Sequence, residues 1–498
     1  MQQVVHSIVI GAGFGGIASC LRLRALGHRV TLLERGASFG GRARVVAQDG
    51  FRFDAGPTVL TAPELFSELF ALFGKKREDY VQFLPVTPWY RMQFNDGRYL
   101  DYGADLDDTV RQAETFAKGD GAGYLKLLAH AEALYKIGYE QLADVSFDSL
   151  STLLKATPKM LKLRCDRSVA QLVNKHLKSP EMRQAFSVHP LLVGGNPLKT
   201  TSIYCLIHSL ERRGGVWFAQ GGTGALVAAL AKLMVEEGVE IRLNADVKQI
   251  LFHDNRLKTP VIRGVRLGTN EVIEADNVVC NVDPPHVYQH MLGDVESPRW
   301  HKSRVKKMHY SMGLFVVFFG TLGRYEDVKH HTILFGGQFE RELTAVFDKH
   351  ELDPNFSLYL HRPTATDAAM APADSDAFYA LVAVPNCQSN IDWNVEGPAL
   401  QERVFDRLEA TLMPGLRTRL LTATYHTPTY FRDELNTFNG SGFSIAPEFT
   451  QSAWFRFHNK AEGLKNLYFV GAGTHPGAGV PGVINSAKVL ERLLRAES

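Results

Sequence analysis

No apolar run in the 498 residues approaches the ~20 consecutive residues that a membrane-spanning helix needs. The longest, Leu314-Phe315-Val316-Val317-Phe318-Phe319, is strand-length, rich in β-formers and bounded by Gly313 and Gly320, so a buried strand is expected there. Cysteine is scarce: Cys20, Cys165, Cys205, Cys280 and Cys387 are odd in number, widely scattered and without a C-x-x-C pair. That pattern excludes a disulfide framework and a cysteine metal site, and it suits a reducing compartment. An excess of one charge is also missing. The net charge of +2 arises from interspersed signs, so no basic tract points to nucleic acid. The first strand is expected from about Val4, which leaves no room for a leader and makes the cytoplasm the expected location. His330 and His331 are adjacent rather than four apart, which suits a strand or loop, and no metal is expected.

Glycine, by contrast, is plentiful and pointedly placed. Ser7-Ile8-Val9-Ile10 reads as an apolar strand running into Gly11-Ala12-Gly13-Phe14-Gly15-Gly16 and then into a helix carrying Ile17, Leu21, Leu23 and Leu26. Gly11, Gly13 and Gly16 have the G-x-G-x-x-G spacing, which permits a tight turn, close approach of backbone to a pyrophosphate and close packing of helix on strand. Glu34 ends the next strand, Val30-Thr31-Leu32-Leu33, about 20 residues on, where an acid accepts hydrogen bonds from a ribose. Near the other end, Asn466-Leu467-Tyr468-Phe469-Val470 runs into Gly471-Ala472-Gly473-Thr474-His475-Pro476-Gly477-Ala478-Gly479-Val480-Pro481-Gly482. Two strand-to-glycine turns imply two helix N-termini aimed at one long anionic cofactor. Gly40-Gly41-Arg42 and Phe53-Asp54-Ala55-Gly56-Pro57-Thr58 add small residues and a cation, which suit a cofactor that continues past its pyrophosphate into a bulky ring system. FAD meets that description.

Glu34-Arg35 through Gly40-Gly41-Arg42, Asp54-Ala55-Gly56-Pro57-Thr58, Leu191-Leu192-Val193-Gly194-Gly195-Asn196-Pro197, Gly221-Gly222-Thr223-Gly224 and the Gly471 to Gly482 stretch resemble the phytoene desaturases of bacterial and fungal type. The resemblance runs over nearly the whole length and keeps the motif order. It implies an α/β protein with a Rossmann-like FAD-binding domain of the glutathione-reductase or amine-oxidase kind, a mixed-sheet substrate domain and a helical lid. It also implies FAD contacts at Arg35, Arg42, Gly56, Pro57, Thr58, Gly473, Thr474, Gly482 and Val483, with the backbone near Val247 over the adenine. The proline and glycines around His475 suggest a backbone role for that stretch, so the FAD is expected to be non-covalent.

The flavin domain is expected in three pieces, residues 1–105, 214–281 and 460–498. Between them lie a helical lid over 106–213, where Leu127, Leu128, Ala131, Leu134 and Tyr135 recur at helical spacing, and a substrate domain over 282–459. Gly221-Gly222-Thr223-Gly224 opens a helix from Ala225 to Glu237, and Glu240 to Val247 alternates as one strand. Phenylalanine concentrates in the substrate domain, as a core or as the lining of a long tunnel for a polyene.

The resemblance implies a desaturase that introduces C=C bonds into 15-cis-phytoene in successive steps toward neurosporene or lycopene. Hydride would pass to the flavin, a proton would leave the neighbouring carbon, and quinone or oxygen would take the electrons. A later-step desaturase on a modified polyene, a flavin-dependent carotenoid isomerase and a non-catalytic prenyl-binding protein of the same fold stay open. Asp367, in a stretch similar to the family's, and Arg167, in the lid, are the candidate assisting groups; water or a flavin-side group is the alternative. A polyene resides in membrane, and Lys155 to Arg167 is a basic and apolar segment suited either to a peripheral membrane contact or to an ordinary solvated surface.

Overall fold

The computed structural model describes residues 4–253 and 259–497. At its centre is a five-stranded parallel sheet in the spatial order Leu467–Phe469, Asn277–Cys280, His6–Ile10, Arg29–Leu33, Glu240–Arg242. Alternation along these strands sorts side chains to two faces. Val9, Leu32 and Val279 pack with Ile17, Leu226 and Ile484 of the helices Phe14–Ala25, Gly222–Glu236 and Val480–Glu497. Ile8, Ile10, Leu33 and Val278 pack on the other side with Ile250, Val265 and Leu267 of a three-stranded antiparallel sheet, Val247–Phe252, Ile262–Leu267 and Val272–Glu274. Burial on both faces is why these strands read as continuous apolar runs.

The single strand expected over Glu240 to Val247 is two. Asn244 adopts φ 53°, a left-handed conformation that Asn tolerates, and the Ala245 amide donates to the Glu34 carbonyl at 2.8 Å. The chain thereby leaves the parallel sheet after Arg242 and starts the antiparallel one at Val247.

A second, seven-stranded sheet has the order Leu420–His426, Gly313–Leu322, Ser375–Val384, Leu358–His361, His331–Leu334, Tyr90–Gln93, Tyr99–Tyr102. Every pairing is antiparallel except His331–Leu334 with Tyr90–Gln93. Gly313–Leu322 is paired on both sides and buried: Phe315, Val317 and Phe319 meet helix Trp393–Thr411, while Leu314, Val316 and Phe318 meet Phe51, Phe53 and Tyr379. The strands at 90–102 fall within the expected first flavin piece, 1–105, yet they pair into this sheet. Runs of four residues carry no local mark of which sheet they join, and the parallel ladder from Thr332–Arg91 to Leu334–Gln93 decides it. The helical region, including Leu106–Phe116, Asp120–Gly138, Leu150–Lys162, Val169–His176, Pro180–Ser187 and Leu206–Gly214, shares one buried cluster with Tyr90, Met92, Leu100 and Tyr102 at the end of this sheet. In Asp120–Gly138 the residues Leu127, Ala131, Leu134 and Tyr135 are buried as their spacing predicts.

Candidate functional site

Gly11 takes φ +96° at the end of its strand, and its amide donates to the Leu33 carbonyl at 2.8 Å. A Cβ at Gly16 would lie 2.0 Å from the Gly11 carbonyl oxygen, and one at Gly13 would lie 2.8 Å from Asn281 Nδ2. The turn is therefore possible only for glycine, and the helix Phe14–Ala25 that follows has no side-chain cap. Its first-turn amides are left for an anion. Glu34, buried, accepts the Ala12 amide at 2.8 Å and the Gly36 amide at 2.7 Å, which fixes the turn and keeps carboxylate lone pairs for further donors.

The third glycine turn behaves differently. Asp54 accepts the amides of Thr223 at 2.9 Å and Gly224 at 3.2 Å, and Asp367 accepts that of Gly221 at 2.8 Å. A protein carboxylate thus closes the N-terminus of Gly222–Glu236, and burial pushes the Asp54 carboxyl up to about 6. Two helix N-termini face the site; this one is sealed.

A single cavity of about 570 Å³ joins these parts. Its lining includes Gly11, Gly13, Glu34, Arg35, Arg42, Gly56, Pro57, Thr58, Val247, Gly482 and Val483. Gly16, Gly473 and Thr474 lie behind the wall: a Cβ at Gly473 would lie 2.3 Å from Pro284 Cδ, and the Thr474 hydroxyl donates to the Phe457 carbonyl at 2.7 Å. Sequence reasoning missed Arg44, Tyr139, Asn281 and Asp283, which also line it. Asn281 and Asp283 directly follow the strand Asn277–Cys280, at the carboxyl edge of the parallel sheet, where such folds place their ligands; that position was the available signal.

The residues present fit FAD. Arg42 Nε and His475 Nδ1 are buried on this cavity without a partner, a donor and a ring nitrogen awaiting a pyrophosphate and a polar ring. Burial lowers the Arg42 guanidinium and raises the Asp283 carboxyl, and each opposes the other's shift through its charge. His475 is more than backbone: its Nε2 bonds the Leu142 carbonyl at 3.0 Å, and burial holds the ring near 4, neutral at physiological pH.

Away from the glycine turns the cavity is walled by Leu191, Leu192, Leu314, Val346, Phe347, Leu381 and Phe443. Polar groups interrupt it, Glu211, Glu342 and Tyr359 among them. Glu211 accepts the Tyr90 hydroxyl at 2.8 Å and lies 3.1 Å from His189 Nε2. Glu342 accepts the amide and the hydroxyl of Ser357, each at 2.6 Å, and burial pushes it up to about 7. Tyr359 Oη lies 2.7 Å from Thr58 Oγ1 and 2.6 Å from His331 Nδ1. The structure does not bring Asp367 or Arg167 to this wall. Asp367 is spent on the amides of Gly221 and Ala369, and Arg167 is exposed beside Asp166. His330 and His331 do meet a third histidine, His361, in a fully buried cluster whose ring nitrogens lie within 4.8 Å of one another.

Residues 14–367 match the family described as flavin containing amine oxidoreductase. The chain is 45% identical over 489 residues to the phytoene desaturase (lycopene-forming) of Pseudescherichia vulneris, covering 98% of each chain. It is 40% identical to the phytoene desaturase (neurosporene-forming) of Rhodobacter capsulatus, covering 98% of this chain and 94% of the other. Among solved structures, an oxidoreductase from Methanosarcina mazei superposes with a TM-score of 0.65 at 16% identity, covering 98% of this chain and all of its own, which establishes the shared fold. An FAD-dependent oxidoreductase fold, an intact dinucleotide turn and full-length similarity at this level place the chain in the phytoene desaturase family of the flavin-containing amine oxidoreductases.

Proposed function

We propose that the protein desaturates 15-cis-phytoene in successive steps toward neurosporene or lycopene, holding FAD non-covalently and passing electrons on to quinone or oxygen. The observation that carries this reading is the continuity of one cavity from the glycine turns, past Arg42 and Thr58, into an apolar wall. Such a wall offers a hydrocarbon dispersion contacts and few hydrogen bonds. Bound there, the flavin supplies a two-electron hydride acceptor. The protein's part is to place a saturated C–C pair of the polyene against that acceptor, keep water away and collect the proton that an allylic cation gives up once hydride has left. Asp367 acts in this reading as a positioning residue, through the turn at Gly221, and Arg167 belongs to the cationic surface.

The same reading makes the protein peripheral to a membrane. Among the described residues no helix is long and apolar enough to cross one. Leu150–Lys162 supports a surface contact instead: Leu153, Thr157, Met160 and Leu161 line the cavity, while Leu150, Leu154, Lys155, Lys159 and Lys162 are exposed. Leu154 is 63% exposed, unusual for a leucine beside a cavity built for hydrocarbon. A helix that meets lipid outside and cavity inside gives a polyene a route that avoids water.

The direct test is incubation with phytoene in liposomes plus FAD, followed by product chromatography and mass measurement. Loss of two hydrogens per step identifies the desaturase; a product of unchanged mass identifies an isomerase, and bound but unaltered polyene a carrier.

A further inference from the structure

We propose that Tyr359 and His331 form the proton exit of the reaction, with Tyr359 as the catalytic residue and His331 as the group that takes the proton through it. The proposal rests on the desaturase reading and goes beyond it, since hydride abstraction by a flavin leaves open which group collects the proton.

Tyr359 lies on the strand Leu358–His361 and lines the cavity. Its hydroxyl is 2.7 Å from Thr58 Oγ1, in the Gly56-Pro57-Thr58 segment that joins the flavin end of the cavity to its apolar end. Behind it, 2.6 Å away, stands His331 Nδ1. His331 pairs across the ladder with His361, and their rings lie 5.4 Å apart at 20°. His330 packs on both, at 4.5 Å from His331 and 4.8 Å from His361, and its Nδ1 is 2.6 Å from Thr366 Oγ1. The Nε2 atoms of His330 and His331 and both nitrogens of His361 are buried with no partner. Polar atoms are not usually left so, and a place for an incoming proton accounts for them.

The chain of groups conducts in one direction. Burial keeps the Tyr359 phenol protonated and all three imidazoles neutral, so His331 Nδ1 is free to accept the phenol hydrogen. When hydride has left one carbon for the flavin, the C–H bond on the neighbouring carbon breaks and its electron pair forms the new C=C bond. The proton goes to Tyr359 Oη, and the phenol's own proton goes to His331 Nδ1. Tyr359 ends neutral, and His331 becomes an imidazolium within the three-histidine cluster. An allylic cation is a far stronger acid than even a buried imidazolium, and the same burial makes His331 pass the proton before the next step to His330, whose Nδ1 bonds the half-buried Thr366 hydroxyl, and from there to water. A metal ion is the rival use of the cluster. One ring nitrogen from each histidine lies within 4.8 Å of the others, but His331 Nδ1 is already 2.6 Å from the Tyr359 hydroxyl, so a metal ion would have to share the cluster with that contact.

The test uses the FAD-loaded protein and the variants Tyr359→Phe and His331→Gln, with phytoene liposomes. Turnover should fall about 100-fold in each, the scale of a lost general base, with the KM for phytoene and the affinity for FAD within about twofold of wild type. Independently of turnover, nitrogen-labelled histidine should report His331 in the resting protein as the Nε2–H tautomer with a hydrogen-bonded Nδ1, and Tyr359→Phe should shift that Nδ1 resonance. Undiminished turnover in both variants, or a resting His331 protonated at Nδ1, overturns the relay while leaving the desaturase reading in place. A stoichiometric metal ion that is lost in His331→Gln overturns it in favour of a metal site. Absence of any desaturation by the wild type defeats the underlying reading instead.

Discussion

Arg22 on the first helix donates to Glu491 on the last helix at 2.6 Å, across 469 residues of chain. That contact ties together the two helices whose N-termini face the same cavity, and Arg22–Glu68 at 2.7 Å adds the helix Pro63–Ala71 to them. The two glycine turns therefore share one site because their helices are packed as a pair behind it.

Replacing Arg22 with alanine is predicted to destabilise the fold by about 3 kcal/mol, the lower end for breaking a buried pair. The Arg22 side chain is 4% exposed, but Glu68 and Glu491 keep Lys488 and Arg495 as partners. Denaturant unfolding measures the change, and Arg22→Met should recover part of it through packing. A loss within ~0.5 kcal/mol, ordinary for a surface substitution, would contradict the assigned role.

Gly13→Val is predicted to abolish FAD retention, because its Cβ alone falls 2.8 Å from Asn281 Nδ2 in the turn meant for a pyrophosphate. Glu34→Ala should weaken FAD binding by roughly 10-fold or more, the scale of losing charge-assisted bonds near 1.5 kcal/mol, since it removes a ribose acceptor and frees the Ala12 and Gly36 amides. Fluorescence titration of the apoprotein reads both. Undiminished affinity in Gly13→Val would move the site elsewhere.

Sequence alone carries the dinucleotide turn and most of the named residues that line the cavity, because the strand, the glycines, the helix and Glu34 lie within one short stretch and obey local rules. The buried strand at Gly313–Leu322 was legible for the same reason, from composition and flanking glycines. What could not be read depends on register. Nothing near His331 announces that it stands opposite His361, since that follows from the ladder between two strands separated by a helix and a loop. Asp54 looked like a cofactor-side motif residue, yet it caps a helix 169 residues away. Likeness of stretch points to Asp367 and location points to Arg167, but neither signal contains information on where a side chain points.

Glu342 gives a pH dependence with a definite sign. Its carboxyl is raised from 4.5 to about 7 by burial, so the folded protein binds a proton that the unfolded chain releases. This contribution is complete below about 4.5 and is lost as pH rises through about 7, a change of roughly 3 kcal/mol at most. Glu342→Gln retains an acceptor for Ser357 and should flatten that part of the stability profile. Unfolding free energies of both proteins across this range check it; parallel profiles would show that Glu342 titrates normally.

Charge reversal at Lys159 and Lys162 is predicted to reduce binding to anionic liposomes by about 1 kcal/mol per cation removed, with the effect shrinking as salt rises. FAD binding should be untouched, because neither lysine lines the cavity. Co-sedimentation measures the loss. Equal sedimentation of variant and wild type would place the membrane contact on another face.

The central claim is that the cavity joins a two-electron acceptor to a polyene that loses hydride. Anaerobic protein with oxidised FAD and phytoene in liposomes tests it most directly, by following flavin absorbance and polyene absorbance together. The oxidised flavin should bleach in about a one-to-one ratio with new double bonds, the stoichiometry of a two-electron cofactor, with air or quinone restoring it and permitting further steps. Product that forms only with pre-reduced flavin and keeps the substrate's mass would contradict it.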